Sequence, residues 1–455
     1  MTESSNHKRS SLRPPMRIGL RFRGIPVIVV VVLFALPGTA TAAPQPDCSD
    51  QGWLGAWAAA PSDASRGSDS MDQFDLSMNP KSAIRNGTVR AILTPTFGGT
   101  TARVRLSNRF VTAPKTFTQA NVALRESGAA LMPGTIAPLT FNGIREVTVA
   151  PGDDVLSDPV EISFQAFDPL AVSIYVAGDI GYPTEHYVAR QTSYLTAQDG
   201  GDHTADADGG AFTAHTTSRP IVSGIEVLAP LSDGAVVTLG DSITDGYQGM
   251  PDGTAEAPEG IDADGRWPDV LAHRLDAAGR PLSVLNAGIA GNRVLHDATA
   301  GDNPDVFGPA AVHRLDADVL AQAGVTTVIL LEGINDLLMS PSVTEAELII
   351  GYRDLIDRLH AHGLRVLHGT LTPTGGYADA PADTGAKRQV VNAWIRDLSP
   401  ADAVIDFDAV VRDPADPSRI NPAYDGSDHL HFNLAGYRAM GDAVPLDQLV
   451  DPACS

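Results

Sequence analysis

Four short blocks, in this order along the chain, hold the residue types that acyl transfer requires. The first is Gly240-Asp241-Ser242-Ile243-Thr244-Asp245-Gly246-Tyr247, and the second is Asn286-Ala287-Gly288-Ile289-Ala290-Gly291-Asn292. The third is Glu332-Gly333-Ile334-Asn335-Asp336, and the fourth is Asp428-His429-Leu430-His431-Phe432-Asn433. Opening an ester needs a nucleophile, a base, a group that orients the base, and donors for the tetrahedral oxyanion. Ser242 supplies the hydroxyl. Asp428 and His431, three residues apart, fit on one turn, where the carboxylate can hold the imidazole in the tautomer that accepts the serine proton. Gly291 has no Cβ to keep its N–H from a reacting group, and Asn335 can add a side-chain amide. His429 is a rival base, and Asp425 reads as a turn residue. Taken singly, each block is an ordinary turn, cap or loop pair. Their shared order is what points to a site.

The elements that must position these blocks follow from the apolar pattern. From about residue 230 onward strands and helices alternate. Ala235–Leu239, Ser283–Asn286, Thr326–Leu331, Arg365–Leu367 and Ala403–Phe407 are apolar runs of the kind found in strands buried on both faces. Helical stretches separate or follow them: Trp267–Ala277, Ala311–Ala323, Val343–His362 and Ala386–Asp397. In Leu348, Ile349, Tyr352, Leu355, Ile356 and Leu359 the apolar spacing marks one helix face. Repeated βα units predict a parallel sheet flanked by helices, with functional residues at the carboxyl ends of its strands. The first three blocks fall at such ends. Earlier in the chain, from about 85 to 180, the reading is β. Thr88–Thr94, Ala102–Leu106, Glu146–Ala150, Val160–Phe164 and Ala171–Val176 are short and often alternating, separated by Gly/Pro/Asn/Asp clusters. This predicts an antiparallel sandwich or jelly roll, followed by a loop from Gln198 to Pro220.

On these residues the second half resembles the SGNH, or GDSL-type, hydrolase family, named for its Ser, Gly, Asn and His blocks. Gly240-Asp241-Ser242 resembles the nucleophile block, Gly291 the glycine block, Gly333-Ile334-Asn335-Asp336 the Gly-x-Asn-Asp block, and Asp428 to His431 the Asp-x-x-His block. The likeness covers residues 233–445. It implies a three-layer α/β/α sandwich with a five-stranded parallel sheet, preceded by an all-β, jelly-roll-like domain. It also implies that Ser242, His431 and Asp428 form the catalytic triad. The Ser242 N–H, the Gly291 N–H and the Asn335 amide would form the oxyanion hole. The family usually has Pro after the catalytic His, where this chain has Phe432. Tyr247, Trp267 and Arg293, just beyond the first two blocks, are candidates for a substrate pocket, with ordinary packing as the alternative.

Residues 1–42 differ from the rest. A basic start (Lys8, Arg9, Arg13, Arg17, Arg21, Arg23) precedes an apolar run from Ile25 to Leu36, and Ala40-Thr41-Ala42 follows a Pro-Gly break. A run of twelve residues falls short of the about 20 that a spanning helix needs. A cleaved Sec signal peptide and a secreted protein are therefore expected. The expected domains are a signal peptide at 1–42, a β-sandwich at 43–228 and a hydrolase domain at 229–455. The chain carries a formal charge of −23, and its leader is basic, so the remainder is more acidic still. That surface repels nucleic acid and anionic membranes. Cys48 and Cys454, the only two cysteines, are expected to be bridged in an exported protein. There is no G-x-S-x-G elbow, Walker A loop, H-E-x-x-H or strand-linked G-x-G-x-x-G. No cofactor or metal is expected. The Asp-rich stretches Asp206–Gly209 and Asp262–Gly265 read as solvated turns.

The expected activity is hydrolysis of a small-molecule, polysaccharide or lipid ester through an acyl-enzyme on Ser242. The absence of a long apolar lid favours small or soluble esters. Two alternatives remain open. One is a polysaccharide-binding protein with a vestigial hydrolase domain, and the other is acyl transfer to an alcohol acceptor.

Overall fold

The computed structural model describes residues 50–63, 84–230, 233–249, 258–298 and 307–449, all within a single unit. The expected leader and both cysteines, Cys48 and Cys454, lie outside the described residues.

The first half is β-rich and holds more strands than the 85–180 run suggests. Its long strands are β1 (Gln51–Ala58), β2 (Arg85–Leu93), β3 (Gly99–Ser107), β4 (Gln119–Ser127), β5 (Leu170–Asp179), the short β6 (Thr184–His186) and β7 (Val222–Pro230). One antiparallel sheet runs β1-β7-β3 and the other contains β2-β5-β4. Side-chain alternation decides which face is inside. On β3, Ala102, Val104 and Leu106 are buried in the core, while Arg103 and Arg105 form ion pairs with buried Glu226 of β7 (2.5 and 2.6 Å). The expected 198–220 loop contains a further strand, Phe212–Thr216, which pairs with Ser193–Thr196 at the sheet edge. The expected division at 228/229 lies inside β7.

The second half is built on a parallel sheet of five strands: β8 (Gly234–Gly240), β9 (Leu282–Gly288), β10 (Val325–Leu331), β11 (Arg365–Gly369) and β12 (Ala403–Ile405). Their spatial order is β9-β8-β10-β11-β12, so the chain steps to one side of β8 and then crosses to the other. This is a topological switch point, where the crevice beyond the strand ends opens. The helices are α1 (Ser242–Asp245), α2 (Trp267–Ala277), α3 (Ala311–Leu315), α4 (Ile334–Met339), α5 (Glu345–Ala361), α6 (Thr384–Leu398), α7 (Phe407–Val411) and α8 (Leu434–Ala443). They pack in two groups, α2 with α8 and α7, and α5 with α3 and α6, the last also touching α4.

Two elements depart from the sequence reading for local reasons. The last strand stops at Ile405 because the Asp406 side chain accepts from Ala409 N, starting a helix at Phe407. The expected helix 311–323 leaves α-geometry after Leu315 and continues as a π-turn over Asp316–Leu320. Elsewhere the boundaries follow the caps. Thr344 and Glu347 form a capping box that starts α5.

The β-rich half covers the open edge of the parallel sheet. Thr96 Oγ1 donates to the Val284 carbonyl (3.0 Å) and accepts the Val284 N–H (2.9 Å), and Ser283 Oγ donates to the Gly55 carbonyl (2.6 Å). Edge strand β9 thus finds partners for groups that would otherwise be exposed. One continuous apolar core runs from Val104 and Val172 of the β half to Val236, Leu285 and Ile329 of the parallel sheet.

Candidate active site

Strand register brings the first three blocks level. Gly240, the last residue of β8, pairs with Gly288 of β9 and Leu331 of β10. A Cβ at Gly240 would meet Thr244 Oγ1 at 2.1 Å and the Leu331 carbonyl at 2.5 Å, so only glycine lets the chain turn here. Asp241 then caps α1 through its side chain on Ile243 N (2.9 Å). Ser242 is the first residue of that helix, and its N–H is among the donors that a helix start leaves without an intrahelical acceptor. Gly291, in the loop after β9, has φ +76°, and a Cβ there would lie 2.4 Å from the Phe307 ring. Both facts exclude a side chain. Asn335 lies in the first turn of α4 after Gly333, whose φ is +115°. Its Nδ2 donates to the Asn292 carbonyl (3.0 Å), and the second hydrogen of that amide remains.

The fourth block comes in from the far end of the chain. Ser242 Oγ lies 2.8 Å from His431 Nε2, and His431 Nδ1 lies 2.6 Å from Asp428 Oδ2. Oδ1 of Asp428 accepts the backbone N–H groups of Leu430 (3.0 Å) and His431 (2.8 Å). A carboxylate has no hydrogen to give, so Nδ1 carries the proton and Nε2 is left to accept one from Ser242. Burial works against the Asp428 charge. His431, together with the two backbone donors, outweighs that and holds this carboxyl well below the usual carboxylate range. Ser242 and His431 are buried, so the pair works in a medium of low polarity.

His429 does not approach Ser242. Its Nδ1 pairs with Asp425 Oδ2, and its side chain is about half exposed (45%). Of the three expected pocket residues, Tyr247 stands edge-on to His431, ring centroids 4.7 Å apart. Arg293 is held by the Asp297 carbonyl of its own loop (2.7 Å) and by Ser340 Oγ at the end of α4 (2.9 Å). Trp267 is a correction. It is fully buried on the core face of α2 against Phe407, because its position in the amphipathic repeat turns it inward. Phe432, which stands where the family has Pro, is buried against the Tyr437 ring and pairs in a bridge with Asp425. The Asp262 stretch is a turn with Asp262 and Ala263 exposed, tied to the β half where Asp262 accepts from Thr192 N and Oγ1 (both 2.7 Å) and Asp264 from Thr94 Oγ1 (2.9 Å). Among the described residues, no cluster of three or more acidic, His or Cys side chains could hold a metal ion.

Beneath these residues lies a charged layer that sequence reasoning missed. The buried Arg314 guanidinium donates to the carbonyls of Gly240 (2.9 Å) and Ala287 (2.6 Å) and to Asn292 Oδ1 (2.8 Å), and contacts Asp318 (3.3 Å) and Glu332 (3.5 Å). One side chain thereby ties together the ends of β8, β9 and β10. Asp318 also binds Arg109 (2.5 Å) of the β half. Burial raises the carboxyls of Asp241 and Glu332, and their mutual repulsion raises Glu332 further, against the pull of Arg314. Asp336 is raised by burial to about 6, although it accepts from the N–H groups of Val294 (2.7 Å) and Leu295 (3.0 Å). The available sequence signal was an arginine, Arg314, between the apolar positions Ala311 and Leu315.

Residues 238–439 match the family model described as GDSL-like Lipase/Acylhydrolase family. No curated protein matches the chain. Among solved structures, the chain is similar to the native aryl esterase of M. Smegmatis, at 19% identity and TM-score 0.37, over 46% of this chain and 95% of that one. It is also similar to a carbohydrate acetylesterase family member from Sinorhizobium meliloti, at 20% identity and TM-score 0.36, over 46% of this chain and 94% of that one. A third is the lipase/acylhydrolase from Enterococcus faecalis, at 22% identity and TM-score 0.33, over 46% and 92%. Residues 238–439 thus carry a domain of the GDSL-like lipase/acylhydrolase family, with a β-rich region ahead of them.

Proposed function

We propose that the protein is a secreted serine carboxylic-ester hydrolase that works through an acyl-enzyme on Ser242. The observation that carries this reading is the unbroken hydrogen-bonded run from Ser242 Oγ through His431 to Asp428, at 2.8 and 2.6 Å.

In this reading His431 Nε2 takes the Ser242 proton as Oγ forms a bond to the carbonyl carbon. The carbonyl electron pair moves onto oxygen, and that oxyanion is met by the Ser242 N–H, the Gly291 N–H and the Asn335 amide. Collapse expels the alcohol, which takes its proton from His431 and leaves an ester on Ser242. Water repeats the sequence with His431 as base, releasing the carboxylic acid and free Ser242. Asp428 stays ionised throughout and holds the imidazole through Nδ1. Small or soluble esters are the substrates within this proposal. The same reading includes a three-layer α/β/α arrangement, supported by the two helix groups. It also includes export by the leader at 1–42 and a Cys48–Cys454 bridge.

The test is hydrolysis of acyl esters of rising chain length by wild type and Ser242→Ala, beside labelling by a fluorophosphonate. The expected result is turnover and labelling by wild type and neither by the variant. If both proteins are equally inert across the panel, acetylated polysaccharides included, the proposal fails.

A further inference from the structure

Asp245 closes the nucleophile helix α1 and lies three residues beyond Ser242. Its Oδ2 accepts the N–H of Ala290 (3.0 Å), the residue directly before Gly291. Its Oδ1 faces Nε2 of His186 at 2.9 Å, and Nδ1 of that ring faces the Ala60 carbonyl at 2.7 Å. His186 ends β6, in the β-rich half, and is buried with its carboxylate partner. A carbonyl and a carboxylate are both pure acceptors. Their placement on either side of one imidazole requires a hydrogen on each nitrogen, so His186 is an imidazolium paired with the Asp245 carboxylate.

Resting on the ester-hydrolase reading above, we infer that His186 is a positioning residue for hydrolysis: through Asp245 it sets the Ala290–Gly291 loop against Ser242, so the β-rich half completes the oxyanion hole. The neighbourhood fits this role. Burial opposes the charge on His186, Asp245 and the Ala60 carbonyl outweigh it, and Arg219 works against them, leaving the ring more basic than an ordinary histidine. A cavity of about 10 Å³, lined by His186, Asp245, Ile289, Ala290 and Phe307 among others, joins the ring to the loop. It has room for no more than about one water. Phe307, which packs over Gly291, closes the other side. The other supports of the loop come from inside the hydrolase half: Ile289 N on the Gly240 carbonyl (3.0 Å), and Arg314 on Asn292 (2.8 Å). Arg314 also reaches the β half, through Asp318 and Arg109, but His186 acts through Asp245, the carboxylate that itself accepts from Ala290 N next to Gly291.

Donors aimed at an oxyanion act on the transition state rather than on bound substrate. Loosening their loop therefore lowers kcat and leaves KM nearly unchanged. The experiment uses the full chain, an aryl acetate as probe, and fluorophosphonate titration to count competent sites. His186→Gln can still donate to Asp245 from near the Nε2 position, whereas His186→Asn reaches only toward the Ala60 carbonyl. The expected order of kcat per titrated site is wild type, then Gln, then Asn, with Asn reduced about 10- to 100-fold and KM within about two-fold. In a double-mutant cycle, His186→Asn is expected to add little to Asp245→Ala, since one acts through the other. An Asn variant as active as the Gln variant, or losses that multiply in the double mutant, overturns the inference. A wild type that neither turns over the ester nor takes the label would instead sink the hydrolase reading itself.

Discussion

Replacing Asp428 by Asn changes no volume and removes one charge, which makes it the sharpest probe of the site. Two orientations are open to the new amide. In the first, its oxygen keeps the two backbone N–H groups of Leu430 and His431, as Oδ1 does now at 3.0 and 2.8 Å. The NH2 then faces His431 Nδ1, which must become an acceptor. The ring proton moves to Nε2, and Ser242 loses its base. In the second orientation the amide oxygen serves His431 Nδ1 and the NH2 opposes two backbone donors. That leaves two backbone donors without an acceptor at about 1–3 kcal/mol each, or about 2–6 kcal/mol in all. The chain settles in the first orientation, and each turnover must climb to the second. At about 1.36 kcal/mol per factor of ten, kcat falls about 30- to 10⁴-fold. KM changes little, because Asp428 touches His431 rather than the ester. Steady-state hydrolysis of an aryl acetate, normalised to fluorophosphonate-reactive sites, measures this. An Asp428→Asn variant within about ten-fold of wild type at neutral pH would refute the assigned tautomer and with it the role of Asp428.

Three further outcomes are expected. Gly291→Ala puts a Cβ 2.4 Å from the Phe307 ring at a φ of +76°, so kcat on the same ester should fall about 100-fold; a loss below about three-fold would place the oxyanion elsewhere. Arg314→Lys keeps the charge but not the fork that reaches Gly240, Ala287 and Asn292. With about two buried acceptors left unmet at about 1–3 kcal/mol each, the denaturant midpoint should drop by the equivalent of about 2–6 kcal/mol at constant m, and an unshifted midpoint would show that the strand ends hold without it. The third outcome concerns acid. The folded-state pKa of Asp428 is depressed, so its contribution to stability is present above the unfolded value of about 3.9 and is lost as pH falls from there toward the folded value. The stability difference between wild type and Asp428→Asn should thus be flat above about pH 5 and shrink at lower pH; a difference independent of pH down to acid unfolding would contradict the depressed carboxyl.

Sequence alone determined whatever depends on neighbours along the chain. The parallel strands are buried on both faces, so Ala235–Leu239 and Thr326–Leu331 read as continuous apolar runs, and Gly240, Gly291 and Gly333 mark turns that a side chain would obstruct. Asp428 and His431 meet because they share one turn. Local reasoning stops where partners are remote. His429 with Asp425 is as good a local pair as His431 with Asp428, and only the fold, bridging 189 residues, decides which imidazole reaches Ser242. Trp267 could line a pocket or fill a core until the rotation of α2 against Phe407 is known. Arg314 carries only a faint local signal, a cation between apolar positions, and His186 carries none. A buried cation or imidazolium takes its meaning from the acceptors around it, and those come from Gly240, Ala287, Asn292 and Asp245, which tertiary packing alone assembles. Ser242 was legible as a candidate nucleophile only through the shared order of the four blocks; the charged and hydrogen-bonded shell around it was not.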